Sequence, residues 1–324
     1  MKAKLGGLNF GQMFRKCGIY VILALFIIIS TILRPDVFLT KANLISILVQ
    51  ISMTTILACG ECALILAGSV DLSAGSLVAL TGTVMVGMYE STGSILAGLA
   101  AALVIGAAIG LVNGFIITRF ALPAFIVTLG TQILSRGLAL VYANGMPIPV
   151  TGSSFRVLGQ GKLFGQIPYP ILVCIAVVLF SLVLVNRTAY GRSLYAIGGN
   201  EEAAKASGIK TARVLTVAHV FMGLLAAITG YILMSRTNVG QPSAALNYEF
   251  DAIIGVILGG TSFSGGIGTV GGAVVGCVVM GVLANIMNLI NISPNWQYVV
   301  KGIIILFAVV LDATTKKLSL RAKA

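Results

Sequence analysis

Long apolar runs alternate with short polar interruptions along almost the whole chain. An α-helix needs about 20 predominantly apolar residues to cross a bilayer. The pattern predicts about ten such helices, over 18–33, 44–66, 72–89, 94–117, 123–143, 169–185, 214–234, 249–260, 268–290 and 297–312. Several are short or broken by glycine, so the number is good to one helix. Between the sixth and seventh runs the pattern changes: Tyr190 to Lys210 reads YGRSLYAIGGNEEAAKASGIK. Asn200 suits an N-cap, and Glu201 and Glu202 fall in a first turn where the helix dipole favours anions. Lys205 stands four after Glu201, and Gly208 is placed to end the helix. The spacing predicts a helix over 201–207, too short to hold by itself in water and therefore in need of packing. Ala203, Ala204 and Ala206, with Ile209 beyond, are small knobs suited to a shallow groove, on a partner or on the chain's own surface.

Composition turns this pattern into a class. The 324 residues are 58% hydrophobic and 9% charged, with mean hydropathy +1.04, whereas a soluble domain is about a quarter charged. The expected fold is an all-α polytopic bundle, one transmembrane domain over 1–324 with a polar loop over 186–213, and it leaves no soluble domain to host an active site. Basic residues in short loops are retained on the cytoplasmic side. With the N-terminus inside, the inner segments hold Lys2, Lys4, Arg15, Lys16, Arg119, Arg187, Arg192, Lys205, Lys210, Arg213, Lys316, Lys317, Arg321 and Lys323, and the outer ones only Arg34, Lys41, Arg156, Lys162 and Arg236. This asymmetry predicts both termini in the cytoplasm, with Arg136 and Lys301 inside spans. The net charge of +12 is spread over separate loops and tails, forms no basic face, and does not read as a nucleic-acid surface. The apolar run from Ile19 to Leu33 is followed by Arg34-Pro35-Asp36 and by no small-residue cleavage pattern, so it reads as a first span.

Candidate chemistry is sparse. Cys59-Gly60-Glu61-Cys62 is formally C-x-x-C but lies inside a predicted span, where small apolar packing explains it better than redox or metal chemistry. No P-loop occurs; Gly161-Lys162 is followed by Leu163. Gly266-Ile-Gly268-Thr-Val-Gly271 matches G-x-G-x-x-G but opens a span and follows no strand. His219 is the only histidine, and it is expected to pack or hydrogen-bond within the seventh span. The chain is not expected to be an enzyme or to bind a metal or cofactor.

The glycines are more informative. Gly106, Gly110 and Gly114, and again Gly268, Gly272 and Gly276, recur every fourth residue, a spacing that lets helices approach closely in lipid. These seams are expected within the subunit rather than between subunits. Two stretches interrupt spans outright, GSVDLSAGS (68–76) and GGTSFSGGIG (259–268). Gly68, Ser73 and Gly75 match Gly259, Ser264 and Gly266 in spacing, as if two copies of one device. Unwound backbone at membrane depth is tolerated only beside protein or a water-filled cavity, so these residues, with Asp71 and Gly260, are candidates for a translocation path or its gate. The other reading is a pair of tight cytoplasmic turns, with Asp71 and Ser73 capping the next helix. Glu61 lies clearly inside a span, where an ionisable group costs about 3 kcal/mol and is functional by default; Glu249 and Asp251 precede the second break. Arg136 is the one basic group placed to partner Glu61 in a proton-coupled mechanism.

The run YGRSLYAIGGNEEAAKASGIK resembles the cytoplasmic loop of permease subunits from ribose- and galactose-type ABC importers. The likeness continues through GSVDLSAGSLVALTG, FIVTLGTQILSRGLALVYANG, YEFDAIIGVILGGTSFSGGIGTVGG and NWQYVVKGIIILFAVVLD, in order and over nearly the whole chain. The resemblance implies the ABC importer permease fold, working as a dimer of two copies in the bacterial cytoplasmic membrane. It also implies a cytoplasmic ATPase that carries ATP and Mg, and an extracytoplasmic sugar-binding protein. The loop helix is then the coupling helix, with Gly199, Asn200, Glu201, Ala203, Ala204, Ser207 and Gly208 at the ATPase contact. The missing P-loop fits, since ATP would be hydrolysed on the partner.

The loops over 144–168 and 236–247, with Arg156, Lys162 and Arg236, are candidates for docking the binding protein, or are simply structural. Gln50, Asn113, Gln132, Asn285 and Asn288 are amides within spans that either meet the solute along its path or bond between helices. Pentoses, hexoses, furanosyl signalling molecules and nucleosides all remain open as solutes. An ion-coupled secondary transporter is the alternative from another class, and a membrane-embedded enzyme lacks any supporting constellation.

Overall fold

A backbone in hydrocarbon must satisfy its own hydrogen bonds, and helices accordingly make up nearly all of the regular structure. The computed structural model describes residues 10–321; Lys2, Lys4 and Lys323 of the charge argument lie outside them. The helices are α1 (Phe10–Leu33), α2 (Lys41–Leu66), α3 (Ala74–Thr92), α4 (Ile95–Phe120), α5 (Ala124–Tyr142), α6 (Val157–Gln160), α7 (Tyr169–Arg187), α8 (Ala189–Gly199), α9 (Glu201–Ala206), α10 (Thr211–Thr237), α11 (Tyr248–Leu258), α12 (Val270–Leu289) and α13 (Pro294–Arg321). Four two-residue strands, β1 (Ile148–Pro149), β2 (Lys162–Leu163), β3 (Ile167–Pro168) and β4 (Val239–Gly240), pair antiparallel as β1 with β4 and β2 with β3.

Each of the ten predicted runs falls on a helix. Six of them, α2, α4, α5, α7, α10 and α12, have the length and apolarity of a complete crossing. The run expected over 249–260 is corrected: α11 has 11 residues, about 16 Å at 1.5 Å per residue, half of a hydrocarbon core of about 30 Å. Helix α8 was not expected. Its three glycines argue against a helix, but the Thr188 side chain caps it by accepting from Gly191 N at 3.1 Å, and Leu194 and Ile197 bury one face.

Helices α2 and α10 form the centre. From Ile51 to Leu66, α2 is buried nearly all round, the mark of a core helix, and α10 packs against α2, α3 and α4. The first glycine ladder makes the α4–α10 seam: Gly106 lies against Gly223 O, Gly110 against His219 O and Gly114 against Thr216 Cα. The second is shorter than expected, because Gly268 stands outside the helix with φ 152°. Its remaining members, Gly272 and Gly276, lie against Gly259 O and Gly255 O at the α11–α12 seam. Both seams join helices of this one chain. Lys301 of α13 reaches Asp251 of α11 at 2.7 Å, which accounts for a basic residue within a span.

These seams leave no room for a side chain, whereas Gly137 on α5 has open space around it. Gly106→Leu is expected to destabilise the detergent-solubilised protein by about 3 kcal/mol or more, since overpacking a backbone contact cannot be relieved by rotamer changes. Gly137→Ala is expected to leave the thermal midpoint unchanged or raise it by removing a helix-interior glycine. Thermal melts of the two purified variants beside the parent check both outcomes.

Candidate functional site

The polar segment between α7 and α10 is built from the bundle outward. Tyr190 OH donates to Val214 O of α10 at 3.1 Å, and Tyr195 OH donates to Gly268 O at 2.9 Å, so α8 is pinned to both neighbours. Burial holds the Tyr190 phenol above its ordinary range. At the end of α8, Gly198 meets Leu66 O and Gly266 N, the two atoms of a 2.9 Å hydrogen bond from Gly266 N to Leu66 O. The end of α8, the end of α2 and the second glycine-rich break thus converge on one backbone junction.

Helix α9 projects from it. Asn200 caps the helix, its side chain accepting from Ala203 N at 3.0 Å, and Gly208 ends it with φ 85°. Lys205 lies 3.2 Å from Glu201 and 2.9 Å from Glu202, and these bonds hold its ammonium above the ordinary lysine range. Gly199, Asn200, Glu201, Ala203, Ser207 and Gly208 are exposed. Ala204 departs from the expected contact set: only 4% exposed, it packs into the chain's own core and is what anchors this two-turn helix.

The two breaks do share a device, in a register one residue away from the expected one. At the end of α2, Gly68 N donates to Ile65 O and Ser69 N to Leu64 O; at the end of α11, Gly260 N donates to Ile257 O and Thr261 N to Val256 O. Gly68 and Gly260 have φ 74° and 88°. These are the same left-handed helix stop, followed in each case by a hydroxyl residue. Gly68 therefore corresponds to Gly260, since Gly259 has φ −67°. Gly75 lies within α3 and Gly266 in a loop with φ 74°, so that pair does not correspond. Ser264 is exposed in the same loop.

After Gly68 the chain turns back into the bundle instead of lying at its surface. Asp71 Oδ2 is 3.4 Å from Nδ1 of His219, which sits eight residues into α10, about 12 Å along the helix. His219 Nε2 is 3.1 Å from Ser69 Oγ, and Asn113 Nδ2 donates to Ser73 Oγ at 3.2 Å and to Asp71 Oδ2 at 3.4 Å. Ser73 N and Oγ both donate to Asp71 Oδ1, at 2.8 and 2.5 Å. Ser73 makes no side-chain cap to α3, contrary to the capping reading, because Asp71 takes its hydroxyl. Glu61 accepts from Asp71 N at 3.4 Å and is fully buried, its other oxygen without a partner. Arg136 is not its partner: that guanidinium donates to Pro242 O and Ala244 O, each at 2.8 Å. A cavity of about 490 Å³ lies beside Gly68 and Ser69 and is walled by Glu201, Glu202 and Lys205 of α9.

A protein-family profile described as the permease component of a branched-chain amino acid transport system matches residues 43–309. The chain belongs to that permease family. It is 41% identical over 307 residues to a ribose import permease protein of Bacillus subtilis (strain 168), covering 94% of this chain and 95% of the relative. It is 38% identical over 309 residues to an L-arabinose transport system permease protein of Escherichia coli (strain K12), covering 95% of this chain and 94% of the relative. A ribose import permease protein of the same strain is 40% identical over 295 residues, covering 90% and 91%.

At the end of the permease opposite α9, the two loops with Arg156, Lys162 and Arg236 join into one surface. Strand β1 of the first pairs with β4 of the second, and Ser235 Oγ accepts from Gly159 N at 2.7 Å and donates to Phe155 O at 2.6 Å. Phe155 is buried between Tyr89 and Tyr231, with ring centroids at 5.0 and 5.3 Å. All three basic side chains stay exposed. The amides divide. Asn285 exchanges hydrogen bonds with Asn43 and Asn288 accepts from Gln297, both bonds between helices, while Gln50 lines a small cavity beside Asp251 and Lys301. The sequence did not single out His219, Ser69 or Gly198 as members of this site; the side-chain partners of the first two are about 150 residues apart.

A methyl group on Gly198 would break the Gly266–Leu66 bond, whereas Gly199 has free space. Gly198→Val is expected to lower the stability of the purified permease by about 2 kcal/mol, and Gly199→Ala to leave it within about 0.5 kcal/mol. Equal effects of the two in denaturant melts would contradict the junction.

Proposed function

We propose that this chain is the membrane-spanning subunit of an ABC importer for a pentose, in which the α8–α9 segment carries the force of ATP hydrolysis into the bundle. The observation that carries this reading is the backbone junction at Gly198, which ties a solvent-exposed, capped helix to the end of α2 and to the second glycine-rich break. The relatives named for ribose and arabinose match end to end at similar identity, which favours a pentose over the amino acid in the family description. The excess of basic residues at the α9 end, Arg119, Arg187, Arg192, Lys210 and Arg213 among them, favours that end, and both termini, in the cytoplasm of a bacterial inner-membrane protein.

In this reading two copies pair, each offering α9 to a cytoplasmic ATPase that binds ATP and Mg, while the Arg156, Lys162 and Arg236 surface receives an external sugar-binding protein. The exposed residues Asn200, Glu201, Ala203, Ser207 and Gly208 meet the ATPase, and Ala204 seats the helix. Closure of the ATPase pair moves α9, α8 transmits the displacement to the junction, and the stops at Gly68 and Gly260 let α2 and α11 tilt, a rocking change of access. Glu61 has no basic partner among the described residues, which weighs against coupling to protons.

Removing the Asn200 cap costs about 1 kcal/mol, and placing alanine at left-handed Gly208 about 1 to 2 kcal/mol. Together with Glu201→Ala these changes melt a two-turn helix while leaving the spans intact. ATP hydrolysis by the co-expressed partner, and uptake of ribose or arabinose, are expected to lose their mutual dependence in proteoliposomes holding the triple variant. Full coupling in that variant, or uptake by the parent chain without any ATPase, would overturn the reading; the second result would favour an ion gradient as the driving force.

A further inference from the structure

A second polar site lies away from the junction. A cavity of about 410 Å³ opens between the start of α3, the outer half of α5 and the start of α11, with Ser76, Gln132, Arg136, Asn247 and Glu249 in its wall. Gln132 Nε2 donates to Glu249 Oε1 at 2.8 Å, which leaves the Gln132 carbonyl oxygen as an acceptor. Arg136 uses one terminal nitrogen on Pro242 O and Ala244 O, and its remaining N–H groups have no hydrogen-bond acceptor among the described residues. Glu249 is 2% exposed, and its second oxygen lacks a partner. That oxygen lies against Gly75, where any Cβ would collide with it, so the glycine of the first break makes room for the carboxylate.

This face is unsuited to lipid. A half-buried guanidinium and a half-buried amide opening onto hydrocarbon would each be costly, and ionisable groups at membrane depth face a bundle interior or a water-filled path. The site's chemistry also selects. One positive and one negative group leave no net attraction for an ion, while free guanidinium N–H donors beside the Gln132 carbonyl acceptor are what hydroxyl groups require. Ile133, 69% exposed, stands with Leu140 and Leu246 beside them, an apolar wall for the C–H face of a ring. We infer that this cavity is a solute contact site on the translocation path, taking a neutral polyhydroxylated ring of pentose size. The inference rests on the importer reading and adds the residues that meet the solute.

The test uses the permease reconstituted in proteoliposomes with its ATPase and binding protein, and ribose and arabinose as probes. Gln132→Leu removes one solute contact and frees Glu249, and is expected to lower uptake of the transported pentose about fivefold or more, the equivalent of one hydrogen bond. Ile133→Cys at the rim is expected to react with a membrane-impermeant thiol reagent, and saturating pentose is expected to slow that reaction severalfold, a readout that a structural role for Gln132 would not move. If Ile133→Cys is unreactive, or reacts at the same rate with and without pentose, the cavity is not on the path, even where the parent complex imports normally. If the parent complex with ATPase and binding protein imports neither pentose, the importer reading itself fails and takes this site with it.

Discussion

Close approach of unadorned backbone is the constraint on which this structure depends. At the Gly198 junction an N–H of one break reaches the last carbonyl of α2 with the end of α8 laid across the bond. The α4–α10 and α11–α12 seams repeat the principle with glycine facing carbonyl oxygen. In lipid there is no hydrophobic force to press helices together, so packing distance and polar contacts decide which helices associate. Glycine therefore does here what leucine does in a soluble core. It also means that the contacts between these helices are made of main chain, which cannot be repacked gradually and favours discrete arrangements over continuous deformation.

The buried polar groups follow from the same constraint. Once α2 stops at Gly68 and the chain turns back into the bundle, its freed N–H and C=O groups need partners that water cannot supply. Asp71 answers by accepting from the Ser73 backbone and hydroxyl and by bonding His219. Two side chains tie the re-entrant segment to helices, Asn113 to α4 and His219 to α10. Removing one member leaves the others buried and unpaired, which costs more than the bond itself.

Much of this was legible in the chain because local rules apply to it. The apolar runs all fell on helices, six of them long and apolar enough to cross a membrane, and the Asn200 cap with Gly208 placed α9 to within one residue. The failures came where tertiary contact overrides a local rule. Three glycines concealed α8, whose cap at Thr188 and buried Leu194 and Ile197 outweigh its poor propensity. The repeat between the breaks was matched on residue identity and fell out of register, because what is shared is the conformation of the residue after the last helical turn. Ser73 looked like a cap and became a donor to Asp71. Neither the His219–Asp71 contact nor the Gln132–Glu249 bond, 148 and 117 residues apart in sequence, leaves a mark on a one-dimensional pattern.

The half-length of α11 gives the two polar sites a mechanical relation. Its first turn carries Glu249 in the Gln132–Arg136 cavity, and its last residues end at the Gly260 stop beside the second break. One rigid element of about 16 Å therefore connects them, and a full-length span in its place would have carried the carboxylate past the cavity to the membrane surface. Helix α3 makes the same connection from the other break: it starts at Ala74, directly after Asp71 and Ser73, and its second residue, Gly75, lies against the Glu249 carboxylate. A displacement of the junction that tilts α11 and shifts the start of α3 would move two walls of the cavity. On the importer reading, rigid helices α3 and α11 would link the two sites, with no chain of side-chain rearrangements needed between them.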